Sequence, residues 1–208
     1  MMARAIGLAG AAVLAAACAV TQPAVAPAAA AASPHGVALM NPAFKEAAGA
    51  GERCAAGWTC SMHDDPRSFR FFHEQGEGAQ GYCIQSVGRE PWARLSQAIE
   101  AGKVAPLRGR HVRLSLSLKL DGMALGEAGP LIVAQGGSGQ VLRKGDRLVE
   151  PKAGWQRVEV EMEVPPDTLL LEVGVLFQGK PGFASGGGMG RICVGDARLE
   201  VAAPPGAV

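Results

Sequence analysis

Beyond residue 40 the chain alternates apolar and polar side chains with a period of two, and no stretch carries the spacing of an amphipathic helix. In 110–120, RHVRLSLSLKL, Val112, Leu114, Leu116, Leu118 and Leu120 share one face, while Arg113, Ser115, Ser117 and Lys119 share the other. In 155–164 the inward set is Val158, Val160, Met162 and Val164, with Arg157, Glu159, Glu161 and Glu163 outward. In 168–177 it is Leu169, Leu171, Val173, Val175 and Phe177. Shorter strands are predicted at 68–73, 81–87, 92–99, 131–135, 140–143 and 191–201. Turn clusters separate them: Gly76 to Gly78, Asp121-Gly122, Gly136 to Gly139, Pro165 to Asp167, and Gly179 to Gly190. Roughly nine such strands without crossover helices predict an all-β antiparallel β-sandwich over 41–201, each sheet wet on one face and dry on the other.

The N-terminus is a different polymer. Arg4 precedes an apolar run, Ala5 to Ala17, that is too short to span a bilayer and has the form of a signal peptide over 1–17. Leu14-Ala15-Ala16-Ala17-Cys18 resembles a bacterial lipobox, which makes Cys18 a candidate lipidation site and the new N-terminus. The rival is an ordinary signal-peptidase cut after Ala32. Residues 18–40 are then an Ala/Pro-rich disordered spacer, and 202–208 a disordered tail. The expected location is the outer membrane as a lipoprotein, or the periplasm or exterior, with membrane contact only through the lipid. The 20 basic and 19 acidic residues are balanced, and either cut removes Arg4. Nucleic acid is therefore not an expected partner.

Export gives the cysteines a meaning. Cys54, Cys60, Cys83 and Cys193 are disulfide candidates. The favoured pairing joins Cys54 to Cys60 and Cys83 to Cys193; a Cys60–Cys83 bond is the rival. No pair has the two-to-four spacing of a structural zinc site.

Several segments resemble a known family in their order and spacing. They are Asn41-Pro42-Ala43-Phe44, Gly57-Trp58, Gly81-Tyr82-Cys83-Ile84, Pro91-Trp92 with Gln97, Leu107 to Arg110, Gly154 to Val158, and the closing Asp196-Ala197-Arg198-Leu199-Glu200. Together they resemble the galactose-binding-like jelly rolls among bacterial carbohydrate-binding modules, the type appended to xylanases and endoglucanases. The resemblance covers about 41–201 and implies a jelly-roll sandwich that binds a glycan without catalysis. It also implies a candidate structural calcium held by an early Glu and a late Asp. Lys45 stands where the early Glu is usual and Gly195 where an acid is usual. Glu46 and Asp196 remain as the ligand candidates. No other cofactor is expected.

Sugar rings stack on aromatic faces and are oriented by a few polar groups. Trp155 and Trp58 are predicted to be core. The candidate ligand-binding residues are Trp92, Arg94, Gln97, Tyr82, Arg70 and Phe183, the last in the Gly-rich loop 179–190. Strand alternation puts Trp92, Arg94 and Ser96 on one face and Gln97 on the other. His63-Asp64-Asp65 is a solvated loop rather than a chelate. Catalytic constellations are absent: Gly136 to Gln140 lacks the final Gly of a nucleophile elbow, and no H-E-x-x-H occurs. The expected function is a non-catalytic, envelope-anchored or secreted carbohydrate-binding-like module. The alternative is a protein-interaction or structural module of the cell envelope on the same fold, with an envelope protein as partner, and the third reading is a glycan-active hydrolase. The low aromatic content of 5% weighs against a long sugar platform.

Overall fold

The computed structural model describes residues 36–46, 54–74, 81–121, 126–145, 154–179 and 190–203, without the side chains of 126, 127, 142–144 and 179. The leader, Cys18, most of the spacer and Phe183 lie outside the described residues.

The strands are β1 (Gly36–Val37), β2 (Thr59–Met62), β3 (Phe69–His73), β4 (Tyr82–Ser86), β5 (Trp92–Ile99), β6 (His111–Asp121), β7 (Gly126–Gly136), β8 (Val141–Gly145), β9 (Gln156–Glu163), β10 (Thr168–Gly179) and β11 (Arg191–Val201). A five-stranded sheet runs β2-β5-β10-β7-β8. A six-stranded sheet runs β3-β4-β11-β6-β9, with β1 also paired to β11. The strand pairings are antiparallel. This is the expected sandwich. It begins earlier than residue 41, because Gly36 and Val37 pair with Glu200 and Leu199.

Alternation builds the core. Val112, Leu114, Leu116 and Leu118 of β6 are fully buried, and so are Leu95 of β5 and Leu171, Val173, Val175 and Phe177 of β10. Burying a side chain of this size stabilises by about 1.5–3 kcal/mol, so the inward rows of these strands carry much of the fold. Leu169 departs from the predicted face. The register slips between Thr168 and Leu170, and this bulge turns Leu169 out into solvent, 49% exposed. The period-two pattern also missed one helical turn, Ala101–Val104, which runs into a 3-10 turn, Ala105–Leu107. It carries the chain from β5 in one sheet to β6 in the other and buries Val104 and Leu107.

Both favoured disulfides are present, Cys54–Cys60 and Cys83–Cys193. The first closes the loop before β2. The second links directly opposed residues of β4 and β11. Trp58 is core, as expected: it is 6% exposed, its ring lies 4.6 Å from that of Phe44, and its indole N–H donates to the Met40 carbonyl at 3.0 Å. Trp155 is not core. It precedes β9 and is 39% exposed, because the residue lies on the outward side of the sheet in phase with Arg157 and Glu159.

Candidate functional site

The inward residues of β5 are Ala93, Leu95, Gln97 and Ile99, so Trp92, Arg94, Ser96 and Ala98 point away from the core. Register then fixes their neighbours. Ser96 sits opposite Gly174, Arg94 opposite Leu176 and Ala98 opposite Glu172 on β10, and Thr59 and Ser61 of β2 flank Ser96 and Arg94 on the other side. These residues form the outer face of the five-stranded sheet.

Gly174 is the pivot of this face. A Cβ there would lie 2.1 Å from the Leu95 carbonyl oxygen and 2.7 Å from Ser96 Cα, so the backbones of β5 and β10 approach too closely for any side chain. With no side chain at Gly174, groups two rows apart can meet across it. Arg94 Nη1 reaches Glu172 Oε2 at 3.1 Å, and its Nε donates to Ser61 Oγ at 3.3 Å. The Ser96 hydroxyl, itself buried, donates to Glu172 Oε1 at 2.6 Å. The Arg94 and Glu172 side chains are only 23% and 20% exposed, so solvent screens them weakly and the pair holds its geometry. Leu131 and Val133 of β7 line the far side and are buried although they face outward.

Trp92 closes the near end and is half-buried. The His63 ring stands edge-on to it, with centroids 6.1 Å apart, and His63 Nδ1 is 2.7 Å from Glu90 Oε2. The His63 backbone N–H also donates to the Trp92 carbonyl at 3.2 Å. The indole is thus flanked by the His63 ring, and its backbone is tied to His63 as well. Successive outward residues of a strand are about 6.6 Å apart, so Trp92, Arg94 and Ser96 span a length of about 13 Å, room for two or three linked sugar rings.

The structure does not bring the other candidates here. Gln97 is turned into the core, where Oε1 accepts from Met40 N–H at 2.8 Å and Nε2 donates to the carbonyls of Met40 (3.0 Å) and Gly57 (2.9 Å). Its polar atoms tie the N-terminal segment and the Cys54–Cys60 loop to β5, which leaves them no ligand to contact. Tyr82 is also core, 3% exposed, with its ring edge-on to His73. Burial holds its phenol above the ordinary range. Arg70 is exposed, but on β3 in the other sheet.

The calcium candidates do not fit a cation site. The Asp196 carboxylate accepts from Arg157 at 2.8 Å and from Arg198 at 3.2 Å, and its backbone carbonyl accepts from Arg157 at 2.6 Å. Two guanidiniums stand where a cation would need open oxygens. The Glu46 backbone N–H donates to Asn41 Oδ1. Among the described residues no three His, Cys, Asp or Glu side chains cluster closely enough to hold a metal ion. In the 63–65 loop, His63 turns to Glu90 while Asp65 turns to Arg67, so these side chains do not converge.

Sequence reasoning missed Glu172 and Ser61. The signal was present for Glu172, the one acid inside the apolar run Thr168 to Phe177. Ser61 had none, because β2 is too short to show a period.

No protein-family model matches the chain, and no curated protein matches it. Solved structures match the fold. The C-terminal family 22 carbohydrate-binding module of Clostridium thermocellum Xyn10B aligns at 15% identity over 80% of this chain and 92% of that one, with a TM-score of 0.53. The N-terminal family 22 and glycoside-hydrolase modules of the same enzyme, complexed with xylohexaose, align at 10% identity over 82% of this chain and 29% of that one, TM-score 0.52. A family 4 carbohydrate-binding module aligns at 16% identity over 79% of this chain and all of that one, TM-score 0.51. The fold is that of the galactose-binding-like jelly rolls found among carbohydrate-binding modules.

Proposed function

We propose that this chain is a non-catalytic carbohydrate-binding module whose ligand lies across the outer face of the five-stranded sheet. One sugar ring stacks on Trp92, and the next takes hydrogen bonds from Arg94 and gives them to Glu172. The observation that carries this is the convergence of Arg94, Glu172, Ser61 and Ser96 across Gly174, beside Trp92. A fixed donor and a fixed acceptor match the alternating demands of sugar hydroxyls without reorganisation. In the Clostridium thermocellum module, amino acids of a cleft act in ligand binding, which supports looking to a sheet face here. Ser96 is buried and donates directly to a carboxylate with no imidazole between them, so its hydroxyl positions Glu172 rather than acting as a nucleophile.

Affinity electrophoresis of the mature chain in gels of soluble xylan, β-1,4-galactan or mixed-linkage β-glucan tests this. Retardation in at least one gel is expected. Trp92→Ala and Arg94→Ala each weaken it about tenfold, the scale of one lost stacking contact or charged hydrogen bond. Unretarded migration of the wild type in every gel overturns the proposal. Export fits the two disulfides, and lipid on Cys18 would hold the module at a membrane through the spacer. An unmodified Ser33 N-terminus in the mass spectrum of the mature protein overturns the lipid anchor.

A further inference from the structure

Trp155 is the most exposed of the three tryptophans, and nothing in the proposed site uses it. It stands just before β9, where the β6–β9 ladder, with Leu118 opposite Gln156, places it beside Lys119. Its ring does not stand free in water. A Cβ on Gly81 would lie 2.8 Å from Trp155 Cη2, and Gly81 precedes β4, with β11 and β6 lying between β4 and β9 in the sheet. The indole therefore lies down along the outer face of the six-stranded sheet, across neighbouring strands. Gly81 has φ +139 and receives the ring on bare backbone. In the same row, Cys83 and Cys193 point outward yet are 0% and 1% exposed, as a covered surface requires.

Lys119 Nζ sits 5.8 Å from the ring centroid and pairs with Glu74. The indole thus has a fixed ammonium donor over its ring, held in place by the Glu74 carboxylate, whose side chain is 9% exposed. Its neighbours on this face are charged: Lys119 with Glu74, and Arg157 with Asp196. One indole flanked by two ion pairs is far smaller than the roughly 800 Å² per partner of a stable protein interface. It matches a single saccharide ring in size: one aromatic surface with one ammonium donor over it.

We propose that Trp155 and Lys119, the latter held by Glu74, form a second saccharide subsite, on the face opposite Trp92, so that one module grips two glycan strands. This rests on the reading that the chain binds glycans, and the test separates the two. The probes are the same soluble xylan, galactan and β-glucan. On the polysaccharide that retards the wild type, Trp92→Ala keeps a residual retardation, and adding Lys119→Met weakens that residue about five- to tenfold. The wild type precipitates the long polysaccharide by cross-linking, and either single variant does not.

Trp155 itself can be watched without altering it. In Trp92→Phe, the emission of Trp155 is separated from buried Trp58 by its redder maximum, and it shifts to the blue when polysaccharide is added. Three results overturn the second subsite alone: loss of all retardation in Trp92→Ala, soluble wild-type complexes, or unchanged Trp155 emission. A wild type unretarded in every gel overturns both proposals.

Discussion

The two outer faces of this sandwich come from strands with the same alternation, yet they treat charge in opposite ways. On the five-stranded sheet one pair, Arg94–Glu172, meets across Gly174 among aliphatic neighbours and is about four-fifths shielded. On the six-stranded sheet, apart from the shielded Lys119–Glu74 pair by Trp155, charges form an open ladder. Arg113 meets Glu159, Glu161 and Glu200, His111 meets Glu163, and Arg191 meets Asp121, with side-chain exposures from 24% to 64%. A shielded pair holds its atoms in place, whereas an exposed ladder contributes little beyond solubility. The five-stranded face is built for position. The six-stranded face is anchored covalently instead, by the Cys83–Cys193 disulfide.

That contrast breaks first at the disulfides. Cys83–Cys193 spans 110 residues and Cys54–Cys60 only 6. Loop-closure entropy then assigns about 4–5 kcal/mol to the first and about 2 kcal/mol to the second. Replacing Cys83 and Cys193 by Ala is expected to lower the denaturant midpoint more than twice as far as replacing Cys54 and Cys60. Equal shifts would mean that the six-stranded face does not depend on its covalent tie.

Next comes Gly174→Ala. The added methyl meets the carbonyl oxygen of Leu95, a backbone atom, so β5 and β10 must separate. The expected loss is about 3 kcal/mol, the upper end for overpacking. Because Ser96 is Gly174's cross-strand partner, glycan retardation through Trp92 falls as well, while Trp155 emission is unchanged. Wild-type stability in urea would show that the close approach is not needed.

Much of this was legible in the chain. The Leu/Ser alternation of 110–120 fixed which side of β6 is dry, and the same rule put Trp92, Arg94 and Ser96 together, because alternation is local. What was not legible depends on register and on breaks in it. The bulge between Thr168 and Leu170 reversed Leu169. Glu172 became a partner of Arg94 only because Gly174 leaves a gap between them across two strands. Gln97 has the polarity of a ligand group, but the loop it holds comes from residues 40 and 57, which no periodicity links to β5. Trp155 reads as core from its place in the Gly154 to Val158 strand start, whereas its own phase lies with the outward Arg157.

A smaller effect separates the two kinds of charge. Glu172→Gln leaves Arg94 half-buried without its counter-charge and costs about 1–2 kcal/mol. Arg113→Met removes a partner from three carboxylates at once, but Arg113 is 36% exposed. Glu161, first of all, raises the Arg113 pKa through a side-chain hydrogen bond, yet that group is charged at any working pH. Its loss is expected to cost under about 1 kcal/mol, and less in high salt. Urea midpoints at low and high salt check this. A larger loss for Arg113→Met than for Glu172→Gln would invert the contrast between the faces.

The subtlest test assigns Tyr82 to neither face. It is the sole tyrosine, so the ultraviolet absorbance of phenolate reports it alone. Burial raises its pKa above the ordinary value of about 10. The folded state keeps the proton longer than the unfolded chain does. The stability it contributes is therefore intact below about pH 10 and is lost as pH rises from there through the raised folded value. In the native protein phenolate should appear late, together with the loss of tertiary circular dichroism, and added polysaccharide should leave its titration unchanged. An ordinary midpoint while the fold is intact would put Tyr82 in contact with water and return it to the surface as a binding residue.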